Sequence, residues 1–138
     1  MALSLEIVGE RWTLLIVRDL LNGPRKFQEL AATVGAPPGQ LSLRLKLLEE
    51  TGIVSWRIYT EHPPRAEYTL TDRGLELRTV IRALSFWGAK HLPSERVFVH
   101  ERCEHPLEIA YRCAKCDETV ALADMVFKKK RRSRSANL

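Results

Sequence analysis

Cysteine is scarce in this chain of 138 residues: there are three, and all lie in residues 102–116, RCEHPLEIAYRCAKC. An odd number cannot pair off into disulfides, and a closed metal shell usually takes four ligands. Long uncharged apolar runs are missing as well. The opening residues, MALSLEIVGERW, reach Glu10 and Arg11 early and offer no basic n-region, so neither a signal peptide nor a membrane span is expected and the chain reads as cytosolic. A reducing cytosol disfavours structural disulfides and leaves clustered cysteines to metal or redox roles. Acidic residues are absent from residues 128–138, KKKRRSRSANL, which hold six of the 22 Lys and Arg; residues 1–127 therefore carry 16 basic against 17 acidic side chains. The net charge of +5 thus reflects a basic tail, expected to be disordered and attractive to phosphates, on a nearly neutral body. No repeat of solenoid length is present. No cofactor fingerprint or nucleophile–base pattern accompanies CAKC, and the βαβ setting of a thioredoxin-like site is missing, so an enzyme is not expected.

What is present has helical periodicity first. LEIVGERWTLLIVRDLLN, residues 5–22, brings Leu5, Val8, Trp12, Leu15, Ile16 and Leu20 together at helical spacing before Gly23-Pro24 ends the run. Its other face is also apolar at Leu14, Val17 and Leu21, a surplus that a subunit interface could absorb. KFQELAATVG, 26–35, predicts a short helix ending at Gly35, and APPGQLSLRLKLLEETG predicts another from Pro38 to about Gly52 with Leu41, Leu45 and Leu48 as its core stripe. Two short helices joined by a tight turn make a helix-turn-helix candidate. IVSWRIY and AEYTLT, separated by TEHPPR, predict a hairpin, and a hairpin directly after a helix-turn-helix is the layout of a winged helix. A long helix over residues 71–92 follows, opened by Thr71 and Asp72. Beyond Pro93, RVFVH (96–100), LEIAYR (107–112) and TVAL (119–122) predict three short strands with the cysteines between them. The expected class is α+β, mainly helical: a winged helix over 1–92, a small three-stranded zinc-ribbon-like segment over 96–127, and the tail.

Three phrases, GERWTLLIVRDLLNGPRKFQEL at 9–30, QLSLRLKLLEETGIV at 40–54 and PPRAEYTLTDRG at 63–74, taken in this order and spacing, resemble the HxlR-type winged-helix transcription regulators of bacteria, relatives of the MarR-like group. The resemblance covers about residues 5–92. It implies a homodimer that binds short inverted repeats in double-stranded DNA near promoters, with repression favoured over activation. Members often carry a cysteine just before the first helix that senses oxidants or electrophiles; none stands there in this sequence, so a thiol switch at that position is not expected.

In such proteins the second helix of the motif enters the major groove. Counting 100° per residue from Leu41, the core residues Leu45 and Leu48 lie within about 40°, while Gly39, Leu43, Lys46 and Leu47 face away and Gln40, Ser42 and Arg44 flank them. Gln40 and Arg44 can make bidentate base contacts, with Arg44 the leading candidate, and Leu43 could touch a thymine methyl. Lys46, Arg25 and Lys26 suit phosphates. Arg65, after the stiff proline pair of the wing, suits a narrow minor groove, the role the resemblance supports; its alternative is an ion pair with Glu61 or Glu67. Trp12, Leu77, Ile81, Leu84 and Trp87 are the expected dimer surface, although several also close the monomer core. Aromatic and apolar residues between the first and last helices could line a pocket for a small-molecule effector, although core packing predicts the same residues.

For the cysteines, Cys113-x-x-Cys116 is half of a zinc ribbon. The other half is His100 with Cys103, which repeats the two-residue gap, or Cys103 with His105. Either completes a tetrahedral, structural Zn²⁺ shell of one His and three Cys, and a segment of about 30 residues would gain from such a staple. A redox CxxC, making the chain a thiol oxidoreductase, and a winged-helix and ribbon module that binds other proteins are the competing functions.

Overall fold

The structure is a computed structural model that describes residues 1–61, 64–93 and 97–128. In chain order the elements of the first unit are α1 (Ala2–Val8), α2 (Arg11–Leu20), β1 (Arg25–Lys26), α3 (Phe27–Val34), α4 (Pro38–Glu50), β2 (Val54–Glu61), β3 (Pro64–Leu70), α5 (Asp72–Glu76) and α6 (Arg78–His91). The second unit holds β4 (Tyr111–Arg112), β5 (Thr119–Val120) and a 3₁₀ turn at Leu122–Asp124. The division falls after Val97.

The apolar periodicity sets the core. Ile16, Val17 and Leu20 of α2, Leu30 and Val34 of α3, and Leu41, Leu45 and Leu48 of α4 are buried together with Ile53, Val54 and Leu70 of the hairpin base. Each fully buried Leu or Ile contributes roughly 1.5–3 kcal/mol relative to exposure. Gly35, at φ +69°, ends α3 in the left-handed conformation and starts the tight turn into α4, where Pro38 occupies the first helical turn. A side chain at Gly74 is excluded for a different reason: its Cβ would lie 2.2 Å from the Ile53 carbonyl oxygen. Around it Thr71 knots the start of α5 to the end of α4, its hydroxyl donating to Gly52 O at 2.6 Å and accepting from the Gly74 N–H at 3.2 Å.

Several expectations are corrected. The helix predicted over 5–22 is two helices: Gly9 still has a helical backbone at φ −73°, ψ −13° and donates to Leu5 O, and the break comes at Glu10, extended at φ −76°, ψ 137°. The helix predicted over 71–92 likewise divides around Leu77. On α2 Thr13, Ile16, Val17 and Leu20 are buried; of its second apolar face, Val17 joins the core, Leu21 packs partly against it, and Leu14 is half-buried. A strand missed in the sequence, β1, pairs with β3 at Arg25↔Tyr68 and Lys26↔Glu67, giving a three-stranded sheet in the order β1-β3-β2.

In the second unit the three predicted strands shrink to one ladder, Tyr111↔Val120 and Arg112↔Thr119, and an isolated bridge, Val99↔Pro106. Proline at 106 removes a ladder donor and Glu104 is left-handed, which breaks strand pairing there. Ser94 to Arg96 and the tail from residue 129, which carry parts of the first predicted strand and of the basic run, lie outside the described residues.

Candidate nucleic-acid interface

The leucine stripe that turns α4 inward leaves its other face outside. Gln40, Ser42, Leu43 and Lys46 are exposed, Leu43 by 54%. Lys46 stands 3.9 Å from Glu50 one turn on, a solvated pair that a phosphate could replace.

Arg44 departs from the expectation of a free groove-facing cation. Its side chain is only 16% exposed, its terminal nitrogen lies 3.6 Å from the Glu10 carboxylate, and its Nε is buried with no hydrogen-bond partner. The cause was readable in the helix geometry: position 44 lies about 60° from Leu41 and about 40° from Leu48, on the flank of the buried stripe rather than on the outward face.

The wing strands pair from Val54↔Leu70 to Glu61↔Pro64, with an irregularity between Ile58 and Thr60. Arg65 is therefore a strand residue opposite Thr60 rather than part of a long proline loop. Its side chain lies outside the described residues, as do His62 and Pro63. Of its two predicted acidic partners, Glu67 is engaged by Arg57, whose Nε donates to it at 2.5 Å. Arg25 and Lys26 stand on β1 beside this wing, and the Lys26 N–H donates to Glu29 at 2.7 Å, capping α3.

The link between wing and α4 was not found in the sequence. Trp56 Nε1–H donates to Glu49 at 2.5 Å, and Trp56 faces Tyr68 across the strands. Phe27, Ser42, Leu45, Lys46, Glu49, Trp56, Ala66 and Tyr68 line one cleft of about 310 Å³ between α4 and the wing. Burial, and secondarily the Glu49 charge, pushes the Tyr68 hydroxyl above its ordinary pKa, so it stays neutral near pH 7. Strand alternation could have signalled this, since it puts Trp56 and Ile58 on one face of β2.

A helix-turn-helix whose second helix carries an exposed polar face beside a hairpin wing is thus in place, and the sequence over residues 7–96 matches the model of the HxlR-like helix-turn-helix. The chain belongs to this family. Over 121 residues the HxlR-like chain is 38% identical to the uncharacterized HTH-type transcriptional regulator Rv3095 of Mycobacterium tuberculosis, covering 85% of this chain and 77% of that one. It is 34% identical over 86 residues to the HTH-type transcriptional regulator YodB of Bacillus subtilis, covering 62% and 77%. Among solved structures, PA1374 of Pseudomonas aeruginosa matches with a TM-score of 0.73 at 30% identity, over 96% of this chain and 92% of that one. The reduced form of YodB matches with a TM-score of 0.59 at 32% identity, over 67% and 92%.

The predicted dimer residues of the HxlR-like unit separate into two groups. Trp12, Leu77 and Ile81 pack partly against the monomer core, whereas Leu84 and Trp87 are 52% and 58% exposed. Helices α1 and α6 contain no buried residue, and Leu3, Leu5, Val80 and Leu92 add to the uncovered apolar surface. No described helix is long and apolar enough to cross a membrane.

Of the predicted metal ligands, His100 Nδ1 lies 3.1 Å from Cys103 Sγ, while His105 Nδ1 faces the Cys103 carbonyl oxygen at 3.3 Å. Hydrogen bonds from the Cys116 backbone, the Cys116 thiol and the Lys115 backbone hold the Cys113 thiol below its ordinary pKa. The expected four-ligand cluster is not gathered: among the described residues no three His, Cys, Asp or Glu side chains are grouped to hold a metal ion.

Proposed function

We propose that this chain is a dimeric, sequence-specific DNA-binding transcriptional regulator that acts as a repressor on inverted-repeat operators. The observation that carries this reading is the convergence of the exposed face of α4 and the wing strands on one side of a rigid core, tied by the Trp56–Glu49 hydrogen bond. Relatives called HTH-type transcriptional regulators support it. Gln40, Ser42 and Leu43 meet base edges in the major groove, Lys46, Arg25 and Lys26 meet phosphates, and Arg65 enters the minor groove. Arg44 braces α4 through Glu10.

One winged helix offers few base contacts. A second copy doubles them and sets half-sites about 34 Å apart. The uncovered apolar residues of α1 and α6, Leu84 and Trp87 foremost, are the surface that a second copy covers. A dimer of this size represses by occupying its site. The cleft between α4 and the wing lies at the lower end of ligand-pocket volumes, and an effector seated there would act directly on docking.

Selection of random duplexes on the purified full chain tests this reading. The expected result is an inverted repeat with half-site centres about one helical turn apart, bound with two chains per site. Enrichment of no sequence over random DNA would refute it.

A further inference from the structure

Two turns of the second unit have the same backbone. In the first, the His100 N–H donates to His105 O at 2.9 Å and the Glu104 N–H to His100 O at 2.7 Å. In the second, the Cys113 N–H donates to Glu118 O at 2.9 Å and the Asp117 N–H to Cys113 O at 2.9 Å. Glu104 and Asp117, each directly after the turn's last cysteine, are the non-glycine residues with positive φ among the described residues, at +57° and +60°. Each turn is closed by an antiparallel pair one step further out, Val99↔Pro106 and Arg112↔Thr119. In this correspondence His100 matches Cys113, Cys103 matches Cys116, Arg102 matches Lys115, and His105 matches Glu118.

An L residue adopts the left-handed conformation at a cost, so its occurrence at the same place in two matching turns asks for a common purpose. That purpose is visible in what the turns do with their first and fourth side chains. In the first turn the two potential ligand atoms already converge, His100 Nδ1 and Cys103 Sγ being 3.1 Å apart, close to the roughly 3.5 Å that bonds of about 2.0 and 2.3 Å give around a tetrahedral ion. In the second, Cys113 and Cys116 occupy the corresponding first and fourth places.

Little apolar burial holds the described part of the second unit. Among residues 97–128 none is buried, and only Cys113 and Val120 are even partly covered. Apolar burial on this scale cannot offset the entropy of ordering the segment.

We propose that His100, Cys103, Cys113 and Cys116 bind one structural Zn²⁺ per chain in a tetrahedral shell, the ion drawing the two preformed turns onto a common centre. Binding displaces the three thiol protons to solvent and leaves the shell with one net negative charge, which Arg102 and Lys115, at matching places in the two turns, offset. His105 is outside the shell, since its backbone carbonyl closes the first turn and its ring faces the Cys103 carbonyl oxygen.

The test is metal analysis of the full chain purified under reducing conditions without chelator, with exchange into Co²⁺ to read coordination by absorption. About one zinc per chain and a tetrahedral cobalt spectrum with thiolate charge-transfer bands are expected. Cys116→Ser and His100→Ala should weaken retention against a competing chelator by about tenfold or more, while His105→Ala stays within about twofold of the parent. A parent chain with less than about 0.2 zinc and no tetrahedral cobalt spectrum overturns the site. So does an intact mass showing a Cys113–Cys116 disulfide in its place. Loss of metal in His105→Ala with retention in His100→Ala overturns the ligand assignment. Because the decisive measurement uses the unaltered chain, misfolding of a variant cannot mask the outcome.

Discussion

Arg44→Ala separates a helix brace from a base reader. The substitution removes a side chain that is 16% exposed and ends 3.6 Å from Glu10. Glu10 is 55% exposed, so water screens the pair and its contribution is about 0.2–1 kcal/mol. The two stem methylenes lost beyond Cβ are mostly covered and add up to about 1.6 kcal/mol at roughly 0.8 kcal/mol each. Against this, truncation removes a buried Nε that has no partner, which recovers about 1 kcal/mol. The net expectation is a loss of about 1 kcal/mol, or a fall in Tm of about 4–8 °C for a unit of this size. A brace leaves the affinity of the folded protein for its selected operator within about threefold, whereas a bidentate base contact would be worth about 1–3 kcal/mol at each half-site. Fluorescence anisotropy on the operator and its single-base variants, run below the lowered Tm, reads the difference. More than about a tenfold loss of affinity, confined to one base pair and with Tm unmoved, would refute the brace. Glu10→Gln supplies the second arm. It should cost less than about 1 kcal/mol and leave affinity unchanged, whereas tighter binding would mean that Glu10 restrains a reader.

Other consequences can be measured directly. Leu84→Asp combined with Trp87→Asp should turn a dimer into a monomer in sedimentation, while the monomer's fold, read by circular dichroism, is retained because both residues are exposed. Lys46→Ala should lower operator affinity evenly across sequences and reduce the salt slope of binding by about one, since its ion pair with Glu50 is solvated. Gly74→Ala places a methyl 2.2 Å from the Ile53 carbonyl oxygen and should destabilise the first unit by about 1–3 kcal/mol or more in urea unfolding.

By itself the sequence determined what local pattern can determine. The spacing of Leu41, Leu45 and Leu48 oriented α4 correctly, the glycine at 35 and the proline at 38 placed the turn, and the β-branched and aromatic runs made the hairpin. The exposed face with Gln40, Ser42, Leu43 and Lys46 follows from the same count, because one helical stripe turned inward leaves its opposite outside.

Only tertiary structure decided matters that depend on neighbours far along the chain. Arg44 lies beside Glu10, Trp56 reaches Glu49, and β1 finds β3, pairings that no local period encodes. Of the second apolar face of α2, Val17 went into the core because other elements close around it, while α1 and α6 keep exposed apolar residues. The cysteines were visible from the start as spacing alone. Their likeness as turns was decided by backbone hydrogen bonds and two left-handed residues, which a one-dimensional pattern does not carry.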